Sequence, residues 1–227
     1  MTAVSKRSSR AAKWVAMQLC RSIGAERTAD VLYVRRLEGY FSTPKVQLLY
    51  RTVSGLSGPG EIAEIGSWKG KSTVALSLAV KRAGRGETVY AIDHHLGIAE
   101  DTGLGTRTPY GSTWSAFLSA IDRAGVRDIV HPLRMTSLAG ARWLAQQGIR
   151  LKFLLVDGAH DEDSVTKDLL TFFPLVLAGG LIALDDAKPN GCCPGVYAAY
   201  QSVIESETRP IEWAGSLLLL RKTSGDA

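Results

Sequence analysis

From Glu61 onward the apolar positions alternate between a short continuous pattern and a helical one. The runs Glu61–Ile65, Thr88–Ile92, Phe153–Val156, Leu181–Leu184 and Leu217–Leu220 read as strands, with a weaker strand at Ile129–Pro132. Helical spacing falls between them, at about Ser72–Ala83, Ser112–Ala124, Leu138–Gln147, 161–173 and Val196–Glu205. Ahead of Glu61 the pattern is helical: residues 10–23 align Val15, Leu19 and Ile23, and residues 26–38 align Val31, Val34 and Leu37. A further helix is expected from Ser42-Thr43-Pro44, where a capping residue precedes a proline suited to a first turn. Strands alternating with helices predict an α/β fold whose parallel sheet is covered on both faces. The chain divides into a basic N-terminal helical arm, residues 1–40, and a catalytic-sized domain, residues 41–227.

Composition narrows this further. The 227 residues, 45% hydrophobic and 22% charged, suit one well-buried core and exclude a disordered, collagen-like or coiled-coil chain. Residues 1–36 carry eight Lys and Arg against two acids, which leaves 19 basic and 20 acidic residues for the remainder. The pI of 9.2 therefore belongs to the arm, and a nucleic-acid-binding surface is not expected. The most apolar stretch, Leu169 to Leu184, is broken by Pro174 and Gly179-Gly180, so no membrane span is expected. No apolar run follows the N-terminal charges as in a secretory signal, and Cys20, Cys192 and Cys193 cannot build a disulfide framework. A cytoplasmic, reducing location follows as the expectation.

The turn after the first strand reads Glu64-Ile65-Gly66-Ser67-Trp68-Lys69-Gly70-Lys71-Ser72. A phosphate loop needs four residues between its first glycine and Gly-Lys-Ser, and Gly66 leaves three. The dinucleotide fingerprint fails because Ser67-Trp68 stands where its second glycine should fall. What remains is acid-x-Gly-x-x-x-Gly, with Asp93 ending the next strand. A carboxylate there can accept both hydroxyls of a ribose, and Glu64 suits a ligand with a positively charged amino-acid portion. The competing reading is an ordinary tight turn. Asp157, Asp185 and Asp186 also end strands, where ligands bind in parallel α/β sheets.

Glu61–Leu78 resembles motif I of class I S-adenosylmethionine-dependent methyltransferases, in the branch whose turn reads Glu-Ile-Gly-Ser-x-x-Gly-x-Ser-Thr. Asp157-Gly158-Ala159-His160 resembles the end of that branch's fourth strand, and Leu177–Asp186 its glycine turn and fifth strand. The likeness runs from about Glu38 to about Tyr200. It implies a Rossmann-like class I methyltransferase fold: a seven-stranded, mostly parallel sheet with helices on both faces and an N-terminal helical extension. The branch includes metal-dependent sugar O-methyltransferases of macrolide and aminocoumarin glycosides. The small size and basic arm also resemble the 1-O-methyltransferases of methylmannose polysaccharide assembly. The implied reaction moves a methyl group from S-adenosylmethionine to a sugar hydroxyl of a small-molecule or oligosaccharide acceptor, the 1-OH of a methylated mannoside being one candidate. A homodimer is expected. A catechol-like O-methyltransferase and an inactive cofactor-binding module are the alternatives. Glu64, Gly66, Ser67, Ser72 and Asp93 would hold the cofactor, with Phe41 and Ser137 at its rim.

Three carboxylates gathered at strand ends repel unless a cation neutralises them, so Asp157, Asp185 and Asp186 suggest Mg²⁺ or Mn²⁺. The plainer reading makes them helix caps, although Lys188-Pro189-Asn190-Gly191 after Asp186 shows no immediate helix to cap. His160 is the candidate general base, with Asp157 the other contender; alternatively the histidine faces solvent beside an acidic helix start at Asp161, Glu162 and Asp163. His94 and His95 follow Asp93, and at least one of them is incidental. The glycine-rich segment Gly97–Gly111 suggests a lid. Cys192-Cys193 read as small lining residues, and Trp68 and Trp143 as core anchors.

Overall fold

The structure, a computed structural model, describes residues 25–96 and 111–223. The helix expected at 10–23 and nearly all of the glycine-rich lid segment lie outside these residues. The described strands are β1 (Glu61–Ile65), β2 (Val89–Ile92), β3 (Val130–Leu133), β4 (Leu151–Val156), β5 (Val176–Leu184), β6 (Thr208–Ala214) and β7 (Leu217–Lys222). The described helices are α1 (Ala25–Arg35), α2 (Thr43–Ser54), α3 (Lys71–Ala83), α4 (Trp114–Arg123), α5 (Ser137–Gln146), α6 (Glu162–Phe172) and α7 (Pro194–Val203). One sheet results, in the order β3-β2-β1-β4-β5-β7-β6, with β1 to β5 parallel and β7 antiparallel to both neighbours.

Side chains of a strand alternate between faces, and here both faces are apolar. Phe153 and Leu155 of β4 pack under α1 to α4, while Leu154 and Val156 pack under α5 to α7. That two-sided burial is why the strands read as continuous apolar runs. Within the span read as the basic arm, α1 buries Val31 and Val34 in the first of these cores. Asp30 ties it down further by accepting a 2.7 Å hydrogen bond from the Tyr50 hydroxyl and pairing with Arg82 at 2.9 Å.

Two elements differ from the sequence reading. Leu177-Ala178-Gly179-Gly180, expected as a turn, lies inside β5 as a wide bulge. Val176 pairs with Leu151 and Leu181 with Phe153, so the extra residues of β5 loop out, with Gly179 at φ +74°. Strand β6 was not anticipated: Thr208–Ala214 contains Pro210 and is exposed over most of its length. It is the sheet's edge, where a proline needs no ladder partner. Trp68 and Trp143 are half-buried and pack on Tyr40 and His131 respectively; Trp143 also packs against the core under α5 to α7, as expected, whereas Trp68 does not belong to either core. Among the described residues, no helix is long and apolar enough to cross a membrane.

Candidate functional site

Strand order reverses between β1 and β4, so the loops leaving their carboxyl ends diverge and open a crevice. Gly66 follows β1 at φ +85°, and a Cβ there would sit 2.0 Å from the Asp157 carbonyl oxygen. Glycine is thus required by the close approach of the two strand ends, and it holds the first turn directly beside Asp157. The Asp157 N–H donates to the Ile65 carbonyl at 2.9 Å, and the Gly66 N–H to that of Ile92, so three strand ends share one rim.

Around the turn, Glu64 is fully buried. One carboxyl oxygen accepts from the Thr73 hydroxyl, and Ser72 also bonds to the group, both from the first turn of α3. The other oxygen, Oε1, has no hydrogen-bond partner, and neither has the buried Ser67 Oγ. Burial pushes the Glu64 carboxyl up to about 8, the Ser72 and Thr73 hydroxyls oppose the shift, and Asp157 and Asp93 add to it. Asp93 at the end of β2 accepts the Trp68 N–H at 2.8 Å and the His95 N–H at 2.6 Å, one on each oxygen. It shapes the turn while keeping lone pairs for a ligand. His95 is buried, bonded through Nδ1 to the Thr113 hydroxyl at 2.9 Å and packed on Trp114 and Phe117, whereas His94 is exposed. The former anchors the chain after β2.

The acidic side forms at the ends of β4 and β5. His160 Nε2 is buried and lies 3.4 Å from Asp186 Oδ2 and 3.8 Å from Asp157 Oδ1, without a formed hydrogen bond. Asp157 raises the imidazole pKa above its ordinary 6.5, against the effect of burial, with Asp186 and Asp185 adding to it. Burial pushes the Asp157 carboxyl up to about 7; His160 opposes this and the charges of Asp185 and Asp186 reinforce it. Asp186 adopts φ +53°, a left-handed conformation unusual for a side chain with a Cβ. The adjoining bonds hold it there: its N–H donates to Asp185 Oδ1 at 2.8 Å, and its Oδ1 accepts from the Ser216 hydroxyl at 2.8 Å. Asp161 caps α6 by accepting the Ser164 N–H at 2.9 Å, so the acidic helix start is structural while His160, just before it, faces the carboxylates.

Lys45 completes this cluster. From the inner face of α2 its ammonium reaches Asp185 at 2.6 Å and Asp186 at 3.4 Å, and it lies 5.5 Å from the centre of the Phe41 ring. Phe41 itself is packed in the core, and the Ser137 hydroxyl bonds to the buried carboxyl of Asp168. Phe41 thus takes part in core packing, and Ser137 ties α5 to α6. Lys45, Thr73 and Ser216 escaped the sequence reading. A signal for Lys45 exists: it stands four residues before Leu49 on the apolar stripe of α2, where a lysine is out of place. Among the described residues, the donor atoms of Asp186, Cys192 and Cys193 also converge within 4.8 Å of one another.

The profile of a family described as a methyltransferase domain matches residues 63–187, which span β1, the acidic strand ends and everything between them. Solved structures agree in fold. The O-methyltransferase NovP superposes with a TM-score of 0.65 at 20% identity over 81% of each chain. The calicheamicin methyltransferase CalS11 gives 0.62 at 15% identity, covering 97% of this chain and 93% of its own. TomG, an O-methyltransferase from Streptomyces achromogenes crystallised with S-adenosylmethionine, gives 0.62 at 18% identity over 92% and 96%.

Proposed function

Given that this chain belongs to the methyltransferase-domain family, we propose that it transfers a methyl group from S-adenosylmethionine to a sugar hydroxyl, with Mg²⁺ or Mn²⁺ at the acidic strand ends. The observation that carries this reading is the placement of His160 Nε2 between Asp157 and Asp186, one strand from the Glu64–Ser67 turn. An oxygen nucleophile needs a proton acceptor beside the methyl donor, and this imidazole would serve as that acceptor. NovP is an O-methyltransferase and CalS11 a TDP-rhamnose 3'-O-methyltransferase, and their likeness in fold supports the choice of a sugar hydroxyl.

The residues around the turn suit the cofactor. Glu64 Oε1 and Ser67 Oγ are buried without partners, and Asp93 retains acceptor capacity on both oxygens. The sulfonium of S-adenosylmethionine supplies an electrophilic methyl group. Asp93 would accept the ribose hydroxyls, Glu64 would compensate the positive amino-acid portion, and Ser67 and Ser72 would hold the cofactor at the turn. His160 takes up the proton that the acceptor hydroxyl releases. Alignment of acceptor and donor supplies much of the rate, since good positioning replaces roughly 7–11 kcal/mol of barrier.

Hard oxygen donors at Asp157, Asp185 and Asp186 suit a divalent cation, which would acidify the acceptor hydroxyl. The charges of Asp157 and Lys45 act on one another, and Asp185 would be shared between the cation and Lys45. The 2.6 Å contact of Lys45 also favours a second reading, in which this ammonium by itself supplies the positive charge. Turnover with TDP-rhamnose and a panel of mannosides, with and without chelator, tests the proposal. Loss of activity in chelator and recovery with Mg²⁺ or Mn²⁺ is expected. Full turnover in excess chelator would leave Lys45 as the cation, methylation of catechols in preference to sugars would overturn the acceptor, and absence of S-adenosylhomocysteine binding would overturn the whole reading.

A further inference from the structure

The loop between β5 and α7 brings two thiols beside a carboxylate. Cys192 Sγ and Cys193 Sγ lie 3.2 Å apart, and each can place its sulfur within 4.8 Å of an Asp186 oxygen. Cys192 is exposed, and Cys193 and Asp186 are half-buried, so an ion can arrive from solvent and still meet a partly enclosed site. Two sulfurs on one tetrahedral ion stand about 3.8 Å apart for zinc–sulfur bonds near 2.3 Å, so a small opening of the pair suffices. Cys193 also occupies the N-cap of α7; burial, the Cys192 thiol and the Asp186 carboxylate push its own thiol up to about 12, so an arriving cation must displace that proton. Soft sulfur donors select zinc-like ions over Mg²⁺.

We propose that Asp186, Cys192 and Cys193 form a site for a thiophilic divalent cation of the zinc class, and that filling it inhibits methyl transfer by withdrawing Asp186 from His160 and Lys45. The inhibitory half rests on the reading of Asp186 under Proposed function; the binding half stands without it. Two metal–sulfur bonds and one metal–oxygen bond form, each thiol releases its proton to solvent, and no electron changes hands. Water or an incoming ligand takes the fourth position. The same carboxylate thus answers to two kinds of cation: a hard one through its oxygen neighbours, a soft one through its sulfur neighbours.

Cobalt(II) tests the site by colour. The reduced full-length protein, titrated without oxygen, should develop a thiolate-to-cobalt charge-transfer band and the strong visible bands of four-coordinate cobalt, saturating at one equivalent. Zinc should bleach both. Cys192→Ser and Cys193→Ser should each weaken the thiolate band and the binding, the double variant should remove the band, and Asp186→Asn should keep sulfur ligation while weakening binding roughly tenfold or more. No thiolate band in the wild type overturns the proposal, as does a band that survives in the Cys192→Ser/Cys193→Ser double variant, where Cys20 would be its source. Fractional inhibition by zinc should be smaller in that double variant than in the wild type; equal inhibition in both overturns the inhibitory half. Calorimetry with S-adenosylhomocysteine on the same samples reports the methyltransferase reading separately.

Discussion

The ammonium of Lys45 lies 2.6 Å from Asp185 Oδ1, joining the second helix to the end of the fifth strand with only 11% and 5% of the two side chains exposed. Burial acts against both charges. In Lys45 the hydrogen bond and charge of Asp185 outweigh it and hold the ammonium above its ordinary 10.5. Removing one partner strands the other, so Lys45→Met should cost roughly 3–5 kcal/mol of stability, read as a lowered urea midpoint with unchanged slope. If Asp185 is shared with a metal, the same variant should bind Mg²⁺ more tightly than wild type and regain stability on its addition. No change in affinity would separate Lys45 from the cation site.

Glu64 makes stability depend on pH. Its carboxyl is at about 8 in the fold against an ordinary 4.5, so between these values the folded state holds a proton that the unfolded chain has released. Stability is therefore fully present below about pH 4.5 and falls as pH rises toward 8, with a slope of up to about 1.4 kcal/mol per pH unit. Urea midpoints across this range should fall more steeply for wild type than for Glu64→Gln. A cationic cofactor portion favours the ionised form, so S-adenosylhomocysteine binding near pH 7 should release a proton, detected calorimetrically in buffers of different ionisation enthalpy. Glu64→Gln should abolish that release.

Asp93 has two duties that substitutions can separate. Asp93→Ala removes the acceptor for the Trp68 and His95 N–H groups as well as any ribose contact. Hydrogen bonds to a charged group contribute about 1.5–3 kcal/mol each, so S-adenosylhomocysteine affinity should fall by roughly tenfold to a hundredfold or more. Asp93→Asn, which still accepts on one oxygen, should fall less. Equal affinity for wild type and Asp93→Ala would remove Asp93 from the cofactor site.

The proton acceptor can be identified by two measurements. His160→Ala should retain cofactor binding and lose about 10²–10⁴-fold in kcat, the usual size of a general-base contribution. In the metal-free protein an NMR titration should place the His160 midpoint above 6.5, because Asp157 beside it favours the imidazolium. Asp157→Asn should lower that midpoint. A near-normal kcat in His160→Ala would transfer the role to Asp157.

Much of this protein was written in local pattern. Apolar runs place β1 to β4, the second half of β5 and α3 to α7 within a few residues, because a strand buried on both faces must be apolar throughout and a helix buried on one must repeat every three or four residues. Gly66, Asp93, Asp157, Asp185 and Asp186 were legible for the same reason: each sits where a strand ends, a position that the chain marks by its change from apolar to polar. The edge strand β6 was not, since exposure on an edge leaves no alternation to read and Pro210 argues against a strand.

What the tertiary structure decided is which of those residues meet. The sequence by itself determined the α/β order, the turn after β1 and the acids at the strand ends, all consequences of neighbours along the chain. The pairing of Lys45 with Asp185, the bond from Ser216 to Asp186, the Thr73 hydroxyl on Glu64 and the bond from Ser137 to Asp168 were settled only by folding. Lys45 and Asp186 are 141 positions apart, and the order of strands in the sheet, not the order of residues in the chain, brings them within reach of each other.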